Sequence, residues 1–433
     1  MKPQTPPHLD PPPLKRRSLA IVLALAFVTR LAVLLATLHY HPHNYLYTHG
    51  IEMGLLADSL VHHLGYSSPF GVPTGPTAII APGYPTLVAA VFLLFGSYSY
   101  ASAIVIMSVQ LAIALATVWL IMHVSRQALD ARTAIVAGAF WAVSPPLLWM
   151  PTLFWETSIS ACALPAMFAL ALHYRNRPTK TSWIVLGAYC AVIGLINPAL
   201  LPSLLAIVAW LAWETRSVSK TAPLLSVVAF ALLFSAWPIR NAVRFHAFIP
   251  LRSTVGFELW MGNRPGGTGY LDTTLFPMFD RQELDSYIAK GEVAYSNDKS
   301  RAAWDYIRAH PATFIEMTGR RIYRYWTGTG NAERSPIWEV HSVITAALGF
   351  AGLAILCFRR RWSFAVLFAV PILLFPLPYY ITHAEFKYRL NIDPVMTILA
   401  AYAVTQLDAV VSRRAAARKA ASSAAPVPAL KAL

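Results

Sequence analysis

Apolar residues fall in long runs along this chain, and polar residues gather in patches between them. Ten runs reach or approach the ~20 residues that an α-helix needs to cross a bilayer. They are 19–39, 101–123, 133–149, 152–173, 182–197, 199–213, 221–238, 338–357, 363–380 and 392–411. Several are short and joined through proline, as in SPPLLWMP and NPALLP. Such breaks suit helices buried in a bundle, where neighbours satisfy the freed backbone groups. The pattern predicts an all-α polytopic membrane protein with about ten transmembrane helices. One further stretch, FGVPTGPTAIIAPGYPTLVAAVFLLFG at 70–96, is too broken to span. Its apolar end offers about 12 residues, or roughly 18 Å of helix, which predicts a juxtamembrane or re-entrant helix. No internal repeat is visible.

Composition agrees with this reading. The chain is 56% hydrophobic and only 13% charged, about half the charge of a soluble domain. The net charge of +15 does not point to nucleic acid, because basic residues mark the cytoplasmic loops of membrane proteins. With the N-terminus placed in the cytoplasm, 19 of the 35 Lys and Arg fall in cytoplasmic segments, and none lies between Arg30 and Arg126. Both termini are therefore expected inside. Residues 1–18 and 412–433 read as disordered tails flanking one transmembrane domain at 19–411. Two large outer segments remain, 40–100 and 239–337. The second carries helical patterns, expected as a small helical region outside the membrane. Cys162, Cys190 and Cys357 all sit in apolar runs without metal-ligand spacing, so no disulfide framework is expected.

The outer segments hold the candidate chemistry. HPHNYLYTHGIEMGLLADSLVHHLGYSSPFG contains two carboxylates, Glu52 and Asp58. Glu52 opens a helical pattern and is either a general base or a first-turn acid favoured by the helix dipole. Asp58 reads as structural, with His62 one turn on. The clustered histidines allow a divalent metal, for which Glu52 and His49 are the first ligands to consider, but no strong metal motif is present. The turn PYYITHAEFKYRLNIDP gathers His383, Glu385, Lys387 and Arg389. It reads either as an aromatic belt with snorkelling cations or as an anion clamp for a phosphate. Arg240, in AWPIRNAVRF, suits a lipid headgroup or a helix anchor. GFELWMGNRPGGTGY is a turn-rich loop and not a P-loop. Arg30 lies deep in the first apolar run, as a functional charge or as an ion-pair partner of an outer acid.

These features together resemble the C-type (GT-C) glycosyltransferases, and among them bacterial members of the protein O-mannosyltransferase group (glycosyltransferase family 39) and the lipid A aminoarabinose transferase. The matching pieces run in order: GIEMGLLADSLVHHLGYSSPFG with Glu52, PTGPTAIIAPGYPTLVAAVFLLFG, WPIRNAVRFHAFIPLRSTVGFELWMGNRPGGTGY and HAEFKYRLNIDP. Glu52 stands where the family usually has aspartate, and no adjacent Asp-Glu pair is present. The resemblance implies the GT-C fold and an inverting glycosyltransferase, a hexosyl- or pentosyltransferase of the cell envelope. The sugar would pass from a polyprenyl-phosphate donor to an acceptor hydroxyl on a glycan, lipid or protein. The site would lie on the periplasmic side of a bacterial inner membrane. It implies Glu52 as base, with Arg389, Lys387 and Arg240 holding the phosphate. Asp58, Tyr66, Tyr84, Asn263, His383 and Glu385 are candidate lining residues. No cofactor is required by this chemistry, and a divalent metal remains open. Two other readings stay beside it: a lipid or sugar transporter, and a polymerase or ligase using diphosphate-linked donors.

Overall fold

The computed structural model describes residues 14–40, 51–218, 220–329 and 336–423, and the chain is helical throughout them apart from loops and one isolated antiparallel bridge, Ser67 to Pro76. The membrane-length helices are α1 (Arg16–Tyr40), α4 (Tyr100–Ala128), α7 (Thr157–Asn176), α16 (Pro336–Phe358) and α20 (Asp393–Ser423). Two more spans are formed by consecutive helices that run on from one another. These are α10 (Leu224–Phe234) with α11 (Ala236–Phe245), and α17 (Trp362–Leu374) with α18 (Leu377–Ile381). Among the described residues seven helices are long and apolar enough to cross a membrane, or eight with the bent pair α5 (Ala131–Val143) and α6 (Pro145–Trp149). The expected ten is thus not reached. The runs at 182–197 and 199–213 form α8 (Lys180–Ile196, 17 residues) and α9 (Leu201–Glu214, 14 residues), which fall short of a full span. The broken segment gives a short helix as expected, α3 (Gly83–Phe95).

Helices extend into each expected tail. Residues 16–18 belong to α1, and α20 runs on through 412–423. The sequence there, SRRAAARKAASS, is rich in alanine and arginine, both strong helix formers. Residues 1–13 and 424–433 lie outside the described residues.

The break between α5 and α6 bends the chain by 65°. Pro145 and Pro146 have no N–H, so the carbonyls of Trp141 and Ala142 lose their helical donors. Arg30 supplies the replacement. It donates to Trp141 O at 2.9 Å and Ala142 O at 3.2 Å, and Thr29 Oγ1 donates to Ala142 O at 2.9 Å. Arg30 is 1% exposed and forms no ion pair among the described residues. Of the two readings of Arg30, a functional charge or an ion pair with an outer acid, the ion pair is not formed among the described residues, and Arg30 caps the backbone of the helix break instead. Close helix packing needs small residues, as in other membrane bundles. On α16, a Cβ at Gly352 would stand 2.0 Å from Leu399 O of α20.

The segments between spans fold into one body at the end of the bundle. It holds α2 (Ile51–Val61), α12 (Val255–Gly262), α13 (Arg281–Lys290), α14 (Glu292–Ala309) and α15 (Pro311–Thr327). The first half of the stretch read as a turn-rich loop is thus helical, as α12. Buried Glu292 ties the two long segments together. It accepts from Thr77 Oγ1 at 2.6 Å, Ala78 N at 2.7 Å and Tyr287 OH at 2.7 Å. All of its hydrogen bonds are made, so the buried carboxylate costs little.

Candidate functional site

Four segments converge on Glu52, which opens the first turn of α2. The second is the turn 153–156 before α7, which carries Trp155 and Glu156. Gln110 of α4 holds this turn by donating to Pro151 O at 3.2 Å and Leu153 O at 2.6 Å. The third is 252–258. Arg252 Nε donates to Ile79 O at 2.7 Å and Ser253 N to Ala78 O at 3.0 Å, which lays this stretch along 78–81 and aims Glu258 of α12 inward. The fourth is the turn 382–389, ending in the single-turn helix α19 (Phe386–Arg389).

Within the cluster, His383 Nε2 lies 2.5 Å from Glu258 Oε2, and Lys387 Nζ lies 3.0 Å from Glu385 Oε2. Lys387 also stands 3.4 Å above the Trp155 ring, a cation–π contact that holds the ammonium without neutralising it. Only the Nε of Arg252 has a hydrogen-bond partner among the described residues, so its two terminal nitrogens remain for a ligand. Tyr379 and Tyr388 stack at 4.4 Å alongside.

The carboxylates are set apart by their surroundings. Burial pushes Glu52 above the usual carboxylate range, against its own backbone N–H, Lys387 and Arg252, which pull the other way. Burial does the same to Glu156. Burial also acts on Glu258, but there the adjacent His383 outweighs it, with Arg252 and Lys387 adding to the effect, and the group is held below the ordinary range. One carboxylate is thus shifted down and two are shifted up, a division typical of acid–base sites.

The structure brings together Glu52, Lys387, His383, Glu385 and Tyr84 from the sequence-derived set. It does not bring in the others. Arg389 points into the bundle, where it donates to Ser342 O at 2.7 Å and Trp326 O at 3.1 Å, bonds Thr345 Oγ1, and pairs with Asp393 at 3.3 Å. It therefore has no free face for a phosphate. Arg240 donates to Thr77 O at 2.7 Å, Tyr66 O at 3.0 Å and Asn241 Oδ1 at 2.9 Å, and so clamps the 66–77 loop. Tyr66 donates to Ile80 O at 3.0 Å within that loop. Asn263 donates to Leu259 O and Ile381 O, each at 2.8 Å, and accepts from Arg321 at 2.9 Å. Asp58 pairs with His62 at 3.2 Å, as expected of a structural acid. His49 lies outside the described residues, and among the described residues no group of three or more His, Cys, Asp or Glu is placed to hold a metal.

Glu156, Glu258 and Arg252 were not singled out by sequence. Glu156 fell inside the apolar run at 152–173, and an acid in such a run was itself a usable signal. Glu258 and Arg252 lay among many charges of the long segment, with nothing to mark them.

The turn 382–389 can reach α12 because residue 262 is glycine. A Cβ there would stand 1.6 Å from Thr382 O. Gly262→Ala is expected to cost about 1–3 kcal/mol of stability and to part His383 from Glu258. Thermal denaturation of the purified protein checks the first, and loss of activity together with unchanged expression checks the second.

The fold, a helical bundle carrying these loops at one end, can be set beside known proteins. No family model matches the chain, and no curated protein matches it either. Solved structures do. The apo oligosaccharyltransferase of Archaeoglobus fulgidus aligns with a TM-score of 0.55 at 13% identity, covering 94% of this chain and 52% of that one. The same enzyme in complex with an inhibitory peptide and a dolichol-phosphate aligns at 0.52 and 11% identity, covering 96% and 52%. This chain therefore spans about half the length of that protein. ArnT from Cupriavidus metallidurans bound to undecaprenyl phosphate aligns at 0.38 and 13% identity, covering 90% and 77%. The fold assignment rests on the oligosaccharyltransferase alone.

Proposed function

We propose that this chain is an inverting glycosyltransferase of the cell envelope that moves a sugar from a polyprenyl-phosphate donor to an acceptor hydroxyl. The observation that carries the reading is that Glu52, a carboxylate raised by burial, lies within electrostatic reach of Lys387 and of Arg252, whose terminal nitrogens have no hydrogen-bond partner among the described residues. Each part of the reaction has a matching group. Glu52 takes the proton of the acceptor hydroxyl as that oxygen attacks the anomeric carbon. The bond from that carbon to the phosphate oxygen breaks, and its electron pair leaves with the phosphate. Arg252 and Lys387 meet the charge that develops there. Attack opposite the leaving group inverts the anomeric centre. Lys387 keeps the role read for it in the sequence, and Arg252 takes the place proposed there for Arg389 and Arg240. The fold supports the reading, since the oligosaccharyltransferase that shares it has been solved with a dolichol-phosphate. The site would face the periplasm of a bacterial inner membrane, as the charge distribution implies.

The test is reconstitution in vesicles with undecaprenyl-phosphate sugars and a crude envelope acceptor fraction. The expected result is release of undecaprenyl phosphate together with a sugar-bearing product. Arg252→Ala is expected to lower the rate about 10²–10³-fold, and since it also removes the bond to Ile79 O its melting temperature is measured beside the rate. Movement of the donor across the vesicle with no covalent product would instead establish a transporter.

A further inference from the structure

A groove of about 760 Å³ lies where α15 meets the start of α16. It is lined by Tyr270, Gly319, Arg320, Tyr323, Arg324 and Glu339, none of which belongs to the cluster around Glu52. Its volume falls within the range of about 300–1,000 Å³ found for ligand sites.

The lining carries both signs of charge. Arg324 stands 3.4 Å over the Tyr270 ring and donates one terminal nitrogen to Thr268 O, which fixes its guanidinium. One turn earlier on α15, Arg320 is anchored by an ion pair with Glu316. Across the groove Glu339, in the first turn of α16, forms no ion pair among the described residues. Gly319 leaves room between them, since no atom lies within 4 Å of a Cβ built there.

The surroundings are apolar on one side. α16 is long and apolar enough to cross a membrane, and Glu339 lies at its mouth. Further along that helix Val340, Val343 and Ile344 are exposed. They are three and four residues apart and so form one strip. On α15, Ile315 and Ile322 are exposed beside the arginines, the pattern of a helix lying on a membrane surface. A ligand that fits both the groove and the strip has a charged end and an apolar tail.

The charged end is restricted by chemistry. Phosphate oxygens suit the two guanidinium groups. A phosphate alone would leave Glu339 facing a second anion. A headgroup that carries a phosphodiester and a primary ammonium satisfies both signs, because the ammonium donates to the carboxylate. We propose that this groove binds the headgroup of an aminophospholipid, with the phosphodiester on Arg320 and Arg324, the ammonium on Glu339 and the acyl chains along α16. The site does not depend on the glycosyl-transfer reading.

The experiment uses the purified, delipidated full chain in detergent, with binding read by native mass spectrometry. Phosphatidylethanolamine is expected to bind at least about 10-fold more tightly than phosphatidylglycerol, whose headgroup has no ammonium. Glycerophosphoethanolamine, which lacks the acyl chains, should bind at least about 10-fold more weakly than the lipid. Gly319→Leu fills the groove and is expected to weaken phosphatidylethanolamine about 10-fold or more. It should melt no lower than the wild type without lipid, because leucine is the better helix former and meets open space. Glu339→Gln is expected to abolish the preference over phosphatidylglycerol. Equal binding of the two lipids by the wild type, binding untouched by both variants, or equal binding of the acyl-free headgroup overturns the proposal. Tighter binding of undecaprenyl phosphate that Gly319→Leu abolishes also overturns it, and gives the groove to a prenyl phosphate.

Discussion

Glu52→Gln is expected to lower sugar transfer by about 10²–10⁴-fold, with the purified protein melting no lower than the wild type. Glutamine keeps the shape and cannot take a proton. Because burial raises Glu52, ionising it opposes folding, and the neutral amide removes that cost. The pH dependence provides a second signature. The base must be ionised to act, so activity should rise through a pKa above the ordinary carboxylate value of 4.5. Stability should run the other way. Between the unfolded and folded pKa of Glu52 the folded protein holds the extra proton, so its stability falls as pH rises across that interval. Glu156 is shifted in the same direction and adds to the fall. Paired pH profiles of activity and melting temperature would show the two trends crossing. Transfer by Glu52→Gln at the wild-type rate would falsify the base assignment.

Arg389→Met is expected to fail by a different route, through loss of the folded state. Its guanidinium and the Asp393 carboxylate are 1% and 0% exposed and meet at 3.3 Å. Asp393 is also 2.9 Å from His341 Nε2, and His341 Nδ1 is 2.7 Å from Ser144 Oγ at the break between α5 and α6. Removing the arginine leaves the buried Asp393 carboxylate with His341 as its one remaining side-chain partner and takes a donor from two backbone carbonyls, at a cost of about 3–5 kcal/mol. The measurement is denaturation of the variant in detergent, beside the yield of monodisperse protein. The double variant Arg389→Met with Asp393→Leu should recover part of the loss, because no uncompensated charge remains. A variant that melts normally but binds undecaprenyl-phosphate sugars poorly would return Arg389 to the phosphate site.

The contrast between Lys387 and Arg389 shows how far the sequence could be read. Both were visible as cations in one short turn, and the same role was assigned to both. In a helical turn, residues two apart do not share a face, and 386–389 is such a turn. One cation had to face Trp155 and the other the bundle. Arg389 and Asp393, four apart, were the legible pair. Arg30 was legible as an unusual charge, yet its partners are carbonyls freed by two prolines more than a hundred residues away, which no local pattern reveals. The apolar runs placed the membrane-length helices, but hydropathy measures composition over a window and not where a helix stops. For that reason α8 and α9 were counted as spans. Glu52 could be found because it was one of only two acids in its segment. Glu258 and Arg252 could not, since the approach of 252–258 to 78–81 depends on backbone contacts between distant segments.

The short helices have a consequence for the surrounding lipid. α3, α8 and α9 have 13, 17 and 14 residues, or about 20, 26 and 21 Å of helix against a hydrocarbon core of about 30 Å. α3 turns Leu87, Leu93, Leu94 and Phe95 outward, so acyl chains would be its natural neighbours. A bilayer meeting such a flank can match it by thinning, at a fraction of a kcal/mol per ångström. The dent would form beside α3, whose first turn carries Tyr84. It would lower the height through which a polar sugar on a prenyl chain must rise to meet Glu52. On the glycosyl-transfer reading proposed above, that thinned bilayer is the one from which a lipid-linked donor would arrive.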